Sequence, residues 1–189
     1  MSDADRALWA EARTLLDIGE LMAQWLEGRI SYQPGYGHEG PDEETSDLVE
    51  ALEKVNRAGF VTDFSQPGGQ WPTKRSFWTQ RAAIAGFCDE ALTVRLNGQL
   101  VGSDLVVLRF QPEHECGGCH IPLCVSLDGH SENTWIGGPF SAESIDSDYA
   151  DDLHPDGLAA LHAAWQLQIV DPIWGRNDLL WPAILKALK

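Results

Sequence analysis

Three short stretches of the 189-residue chain carry side chains suited to holding a polar ligand. Glu44-Thr45 stands at the predicted start of a helix, where unpaired N–H groups and the positive dipole end suit a carboxylate. Glu44 itself suits an ammonium or a ribose diol; the plainer alternative is N-capping by Thr45. Thr62 and Ser65 follow a helix end, on a strand that runs into a Pro67-Gly68 turn, and each hydroxyl can both donate and accept. Gln66 beside them offers an amide able to read a purine edge or a carboxylate, although Ser, Pro and Gly are also what any turn requires. In Asn133-Thr134-Trp135-Ile136-Gly137-Gly138-Pro139 an aromatic ring precedes a pliable loop. The Trp135 ring suits stacking on a base or facing a cation, against the commoner fate of a core tryptophan.

Metal and catalytic patterns are weaker. The cysteines are Cys88, Cys116, Cys119 and Cys124. Cys116-Gly-Gly-Cys119-His120 matches c-type haem attachment, which belongs to exported proteins. Cys116 and Cys119 with His114, His120 or Cys124 present zinc donors, but structural zinc joins two distant ligand pairs and no second pair exists. A reduced, glycine-containing turn between strands is therefore the expectation, with no metal and no disulfide framework. There is no Gly-x-Ser-x-Gly, Walker loop, Gly-x-Gly-x-x-Gly after a strand, or His-Glu-x-x-His. His38 in a Gly-rich loop, Asp63, Tyr32 and Tyr36 are candidate bases or gates, and no spacing selects a catalytic residue among them.

Thirteen Lys+Arg against 29 Asp+Glu give a net charge of −16, which disfavours nucleic acid, because polyphosphate binding rests on cationic side chains displacing counterions. The same acidity tolerates a cationic ligand. A hydrophobic fraction of 43% with eight Trp predicts a packed core. No apolar run approaches the ~20 residues that span a bilayer, and the N-terminal residues lack a basic-then-apolar leader. A soluble cytoplasmic protein of one domain, residues 1–189, with no membrane partner is expected.

The elements that must position these residues follow from pattern. Thr14 and Asp17 form a capping-box signature, and Leu15, Ile18, Leu21, Met22, Trp25 and Leu26 follow at helical spacing until Gly28. Residues 31–42 read as a Gly/Pro/Tyr-rich loop, and 43–58 as one helix capped by Gly59. Short strands are predicted at 60–62, 80–87, 105–110, 121–127, 134–136 and 166–170, and 65–69 as a turn. Helices are predicted at 89–96 and 155–164, with a last one starting near Asn177/Asp178 and Pro182 in its first turn. The class is α/β (α+β): a single domain with a mixed β-sheet core and peripheral helices.

Taken together, these pieces resemble the C-terminal S-adenosylmethionine-binding regulatory domain of eukaryotic methylenetetrahydrofolate reductase. Glu44-Thr45-Ser46 leading to Val55-Asn56-Arg57-Ala58-Gly59 is similar to that domain's Glu-Thr-Ser helix, which ends in Val-Asn-Arg-x-Gly. Thr62-Asp63-Phe64-Ser65-Gln66-Pro67 is similar to its Thr-x-x-Ser-Gln-Pro turn, Gln80-Arg81-Ala82 to its Gln-Lys-Ala strand, and Thr134-Trp135 with Gly137 to its Thr-Trp-Gly element. Leu167–Asp171, Asn177 and Leu180-Trp181 resemble its closing strand and final helix. The match runs in order along the chain, with residues 89–130 departing most. The chain also resembles stand-alone actinobacterial proteins that carry the same Ser-Gln-Pro-Gly and Trp-Gly-Arg-Asn-Asp elements.

The resemblance implies a regulatory-domain fold that binds S-adenosylmethionine or S-adenosylhomocysteine through Glu44, Thr45, Thr62, Ser65 and Thr134, with Gln66 and Trp135 beside them. A further hydroxyl in that family falls in a loop that reads Ser141-Ala142-Glu143-Ser144-Ile145-Asp146-Ser147 here, with no single serine selected. The reductase's catalytic barrel is absent, so flavin and folate chemistry do not carry over. A stand-alone sensor implies a protein partner to regulate. The alternative is an enzyme that moves a methyl or other group from the sulfonium to a small molecule, which needs mainly alignment and one base.

Overall fold

The computed structural model describes residues 3–36, 40–72, 77–112, 118–126 and 131–189. The chain forms a single mixed α/β domain whose eight described strands divide into two four-stranded sheets, ordered β1-β4-β8-β5 and β2-β3-β6-β7. Every described pairing is antiparallel, so the expected mixed sheet resolves into two antiparallel ones and the class into its α+β form.

The first sheet is made of β1 (Val61–Gln66), β4 (Ala83–Cys88), β5 (Val106–Phe110) and β8 (Trp165–Val170). β4 is buried along its whole length, the pattern of a strand covered on both faces. Helix α2 (Leu15–Leu26) lies in the layer over this sheet, started by the capping box in which Thr14 and Asp17 bond reciprocally. Its face of Ile18, Met22, Trp25 and Leu26 joins Leu52 and Val55 of α3 (Val49–Arg57), and Phe60, Ile84 and Phe87, in the main core. Gly19 brings α2 and α3 together: a Cβ there would lie 2.2 Å from the Asn56 carbonyl oxygen. Helices α1 (Asp3–Trp9), α4 (Glu90–Leu100), α5 (Ala142–Tyr149), α6 (Pro155–His162) and α7 (Leu180–Ala187) complete the shell.

The second sheet contains β2 (Gly69–Pro72), β3 (Phe77–Gln80), β6 (Ile121–Ser126) and β7 (Glu132–Ile136). It packs on the first through a small apolar cluster of Ala83, Leu123, Ile136 and Val170.

Several boundaries move. The predicted helix at 43–58 is a 3-10 helix, Glu43–Leu48, followed by α3. The predicted strand 80–87 breaks at Arg81-Ala82, where the chain leaves one sheet for the other. Ser65 and Gln66 belong to β1 and Gly69 to β2, so the turn contracts to Pro67-Gly68. The helix at 89–96 continues to Leu100, capped by Asp89. Asn177 is not the cap of α7; its side-chain oxygen instead accepts from Gly68 N (2.9 Å) and Trp181 Nε1 (3.0 Å). That joins the Ser-Gln-Pro-Gly turn to the Trp-Gly-Arg-Asn-Asp segment.

Candidate functional site

A cleft of about 350 Å³ opens between the two sheets and the α2/α3 layer, within the ~300–1,000 Å³ typical of small-molecule sites. Six of the seven predicted residues line it: Glu44, Thr45, Thr62, Ser65, Gln66 and Thr134.

Strand geometry explains the convergence. Thr62 and Ser65 are three residues apart, so a regular strand would send them to opposite faces. Pairing with β4 shifts between Thr62 and Phe64, which leaves Asp63 as the extra residue of a bulge and restores the two hydroxyls to a common side. Across the gap, Gln80, Cys124 and Thr134 pair in register on β3, β6 and β7, so they form one cross-strand row, and all three face the cleft.

The Thr62 hydroxyl is held by a residue buried beneath it. Asn56, fully buried on α3, accepts from Thr62 N through Oδ1 (2.9 Å) and donates from Nδ2 to Thr62 Oγ1 and to the Leu52 carbonyl (both 2.9 Å). Thr62 Oγ1 thus already accepts a bond, which directs its own hydrogen outward as a donor. Sequence reading placed Asn56 in the family motif without this role.

Other predicted roles change. Glu44 and Thr45 sit on a six-residue 3-10 helix, and Thr45 N already donates to the Asp42 carbonyl (2.8 Å). The helix-dipole reading therefore does not hold, and neither does capping by Thr45, because that helix has no side-chain cap bond. What remains is the Glu44 carboxylate, 3.5 Å from Gln80 Nε2, and the Thr45 side chain. Gln66 donates from Nε2 to the carbonyls of Arg81 (2.8 Å) and Leu123 (3.3 Å), so its amide nitrogen ties the two sheets together and is not available to read a base.

Trp135 does not line this cleft. It neighbours Thr134 on a strand and so points the other way, 57% exposed, with its ring centroid 5.1 Å from that of His120. Tyr32 is also elsewhere, its hydroxyl bonded to Asp152. Tyr36 does line the cleft, edge-on to Trp25 at 5.2 Å, and burial with the Asp42 carboxylate pushes its hydroxyl up to about 12. His38, His114 and Cys116 lie outside the described residues. Cys88, Cys119 and Cys124 are free thiols, and no group of three metal-binding side chains occurs among the described residues.

The chemistry of the lining is one-sided. Asp42, Glu44 and Asp63 contribute carboxylates, and no Lys, Arg or His is among the described residues that line the cleft. Rings come from Trp25, Tyr36, Phe64 and Trp71. The Trp25 indole N–H is buried with no acceptor, a donor that the helical pattern concealed because it marks Trp25 only as core. Asp63 is raised to about 6, first by burial, which penalises its charge, against the bond donated by Tyr149 Oη (3.1 Å), with Asp148 adding repulsion.

The family described as Domain of unknown function (DUF6919) matches residues 4–189. The chain belongs to that family. The match spans both sheets and every element that lines the cleft, so the site is built wholly within the family's unit. No curated protein matches the chain. Among the described residues no helix is long and apolar enough to cross a membrane.

Proposed function

We propose that the cleft binds S-adenosylmethionine or S-adenosylhomocysteine and that the chain acts as a sensor or regulatory module of the kind its sequence resembles. The observation that carries this reading is the gathering of Glu44, Thr45, Thr62, Ser65 and Thr134, from three separated stretches, onto one cleft. Its chemistry is compatible: carboxylates suit the ligand's ammonium, ribose diol and positive sulfur, rings suit adenine, and Thr62 offers an oriented donor. A phosphate-bearing nucleotide is disfavoured by the same carboxylates. Trp135 drops out of this ligand set because its side chain faces away.

One observation favours the second reading, an enzyme that transfers a group from the sulfonium. Asp63 lines the cleft with its carboxyl raised to about 6, the range of a general base near neutral pH.

Calorimetry with both nucleosides tests the binding. Glu44→Ala and Ser65→Ala should each weaken it by about 1–3 kcal/mol, the scale of a hydrogen bond to a charged ligand. Flat traces for both nucleosides, or wild-type affinity in both variants, would sink the reading. Mass analysis after incubation with S-adenosylmethionine, alone and with cell extract, separates the roles: an intact nucleoside favours the sensor, and its conversion favours the enzyme.

A further inference from the structure

A second cleft, of about 420 Å³, shares Asp63 and Phe64 with the first and runs along the loop 137–140. Phe64, Trp135, Phe140, Ser141 and Ser144 are among the residues that line it.

The loop's own polar groups are largely engaged. Gln168 accepts from Gly137 N (3.0 Å) and donates to the Gly138 carbonyl (2.7 Å), while Gln166 accepts from Phe140 N (2.6 Å) and donates to its carbonyl (3.0 Å). Gly137 O takes the Cys119 N–H (2.9 Å), and Ser141 Oγ takes the Ser144 N–H (3.1 Å). The cleft therefore has few backbone N–H groups to offer an anion. It offers aromatic surface, chiefly the exposed face of Trp135, and one carboxyl group, Asp63, which the bulge in β1 turns toward both clefts. The groups facing Asp63 are Tyr149 and Asp148 of α5, while its partner strand β4 presents only Ala85 and Gly86 at the bulge.

We propose that this cleft is a second ligand site, for a small planar ring that carries a hydroxyl or amine and no negative charge. The ring lies against Trp135 and the hydroxyl or amine donates to Asp63. An anionic ligand is rejected because Asp63 and Asp148 repel it. The assignment does not depend on what fills the first cleft.

The test uses the full chain and three probes, tyramine, p-cresol and 4-hydroxybenzoate, followed by ligand-observed NMR and calorimetry. Tyramine and p-cresol bind and 4-hydroxybenzoate does not. Trp135→Ala, at an exposed position that folding tolerates, weakens both by about tenfold or more, the scale of losing one stacked ring. Asp63→Asn, nearly isosteric, weakens tyramine more than p-cresol, since only the amine loses a charge partner. Tyramine tightens as pH rises through about 6, where Asp63 ionises. Binding of 4-hydroxybenzoate as strong as that of p-cresol, failure of both uncharged and cationic probes to bind, or indifference to Trp135→Ala would each overturn the proposal.

Discussion

The two sheets are of equal strand number and opposite construction. The β1-β4-β8-β5 sheet is a core element: Ile84, Phe87, Leu167 and Ile169 are sealed between it and the helices. The β2-β3-β6-β7 sheet exposes much of β2 and β7 and touches its neighbour through four buried apolar side chains. Polar links do the rest. Arg81 donates from its backbone N–H to Leu123 O (2.8 Å) and from Nη1 to Pro122 O (2.8 Å), while its guanidinium stacks 3.8 Å from the Trp174 ring centroid. The first sheet holds itself; the second is held by it. The cleft lies where the self-sufficient half meets the dependent one, so a ligand there completes an interface that apolar packing leaves thin.

Four experiments break or sharpen this contrast. The largest effect is expected from Phe87→Ala in the first sheet, about 3–5 kcal/mol in denaturant unfolding, whereas Ile121→Ala, half-buried in the second, costs nearer ~1 kcal/mol. Equal losses would dissolve the distinction. Next, S-adenosylmethionine at about 100-fold over its Kd should stabilise the protein by ~2.7 kcal/mol, with hydrogen-exchange protection gained chiefly in β3, β6 and β7. Protection confined to the first sheet would contradict a cleft that bridges both.

The third experiment concerns Asp63. Its folded value, about 6, lies above the ordinary carboxylate value of 3.8, so between these two the folded state holds more protons than the unfolded. Stability from this group therefore falls as pH rises from about 4 to 6 and stays reduced above. Asp63→Asn should remove that fall, worth about 1–3 kcal/mol between pH 4 and 7, and the two pH–stability curves should converge at the acid end. Parallel curves would show that Asp63 is not desolvated. The smallest effect belongs to Gln66→Leu, which leaves the Arg81 and Leu123 carbonyls without their side-chain donor. About 1–2 kcal/mol should be lost, with faster exchange in β6 than in β4.

Both halves were legible in part. The Thr14/Asp17 capping box and the spacing from Leu15 to Leu26 mark α2, and the apolar run through Phe87 marks β4. In the dependent half the apolar content at 121–127 and 134–136 marks β6 and β7, but β2 carries no such signal. Gly69-Gln70-Trp71-Pro72 has turn composition, yet it is β2, because cross-strand pairing with Phe77–Gln80 settles what local propensity leaves open. Arg81-Ala82 carries no mark of the crossing between sheets, since that depends on long-range bonds. Within the cleft, residue types identified the hydroxyls and Glu44, but the mechanism assigned to Glu44-Thr45 assumed an α-helix that is a 3-10 turn. Trp135 follows Thr134 on β7 and turns to the other side of the strand, an alternation that β7 keeps at these two positions and β1 loses at its bulge. The bulge at Asp63 had no sequence signal, although it is what lets Thr62 and Ser65 act together.

The two glutamines of β8 have a wider consequence. Gln166 and Gln168 stand two residues apart on one strand and grip the loop 137–140 only by its main chain, as another strand would. Gly137 is fixed, since a Cβ there would lie 2.1 Å from the Cys119 carbonyl, but nothing in this grip depends on the side chains at 139 and 140. The fold thereby separates the clasp from the wall: side chains at 139 and 140 can change without breaking any of the four bonds that hold the loop.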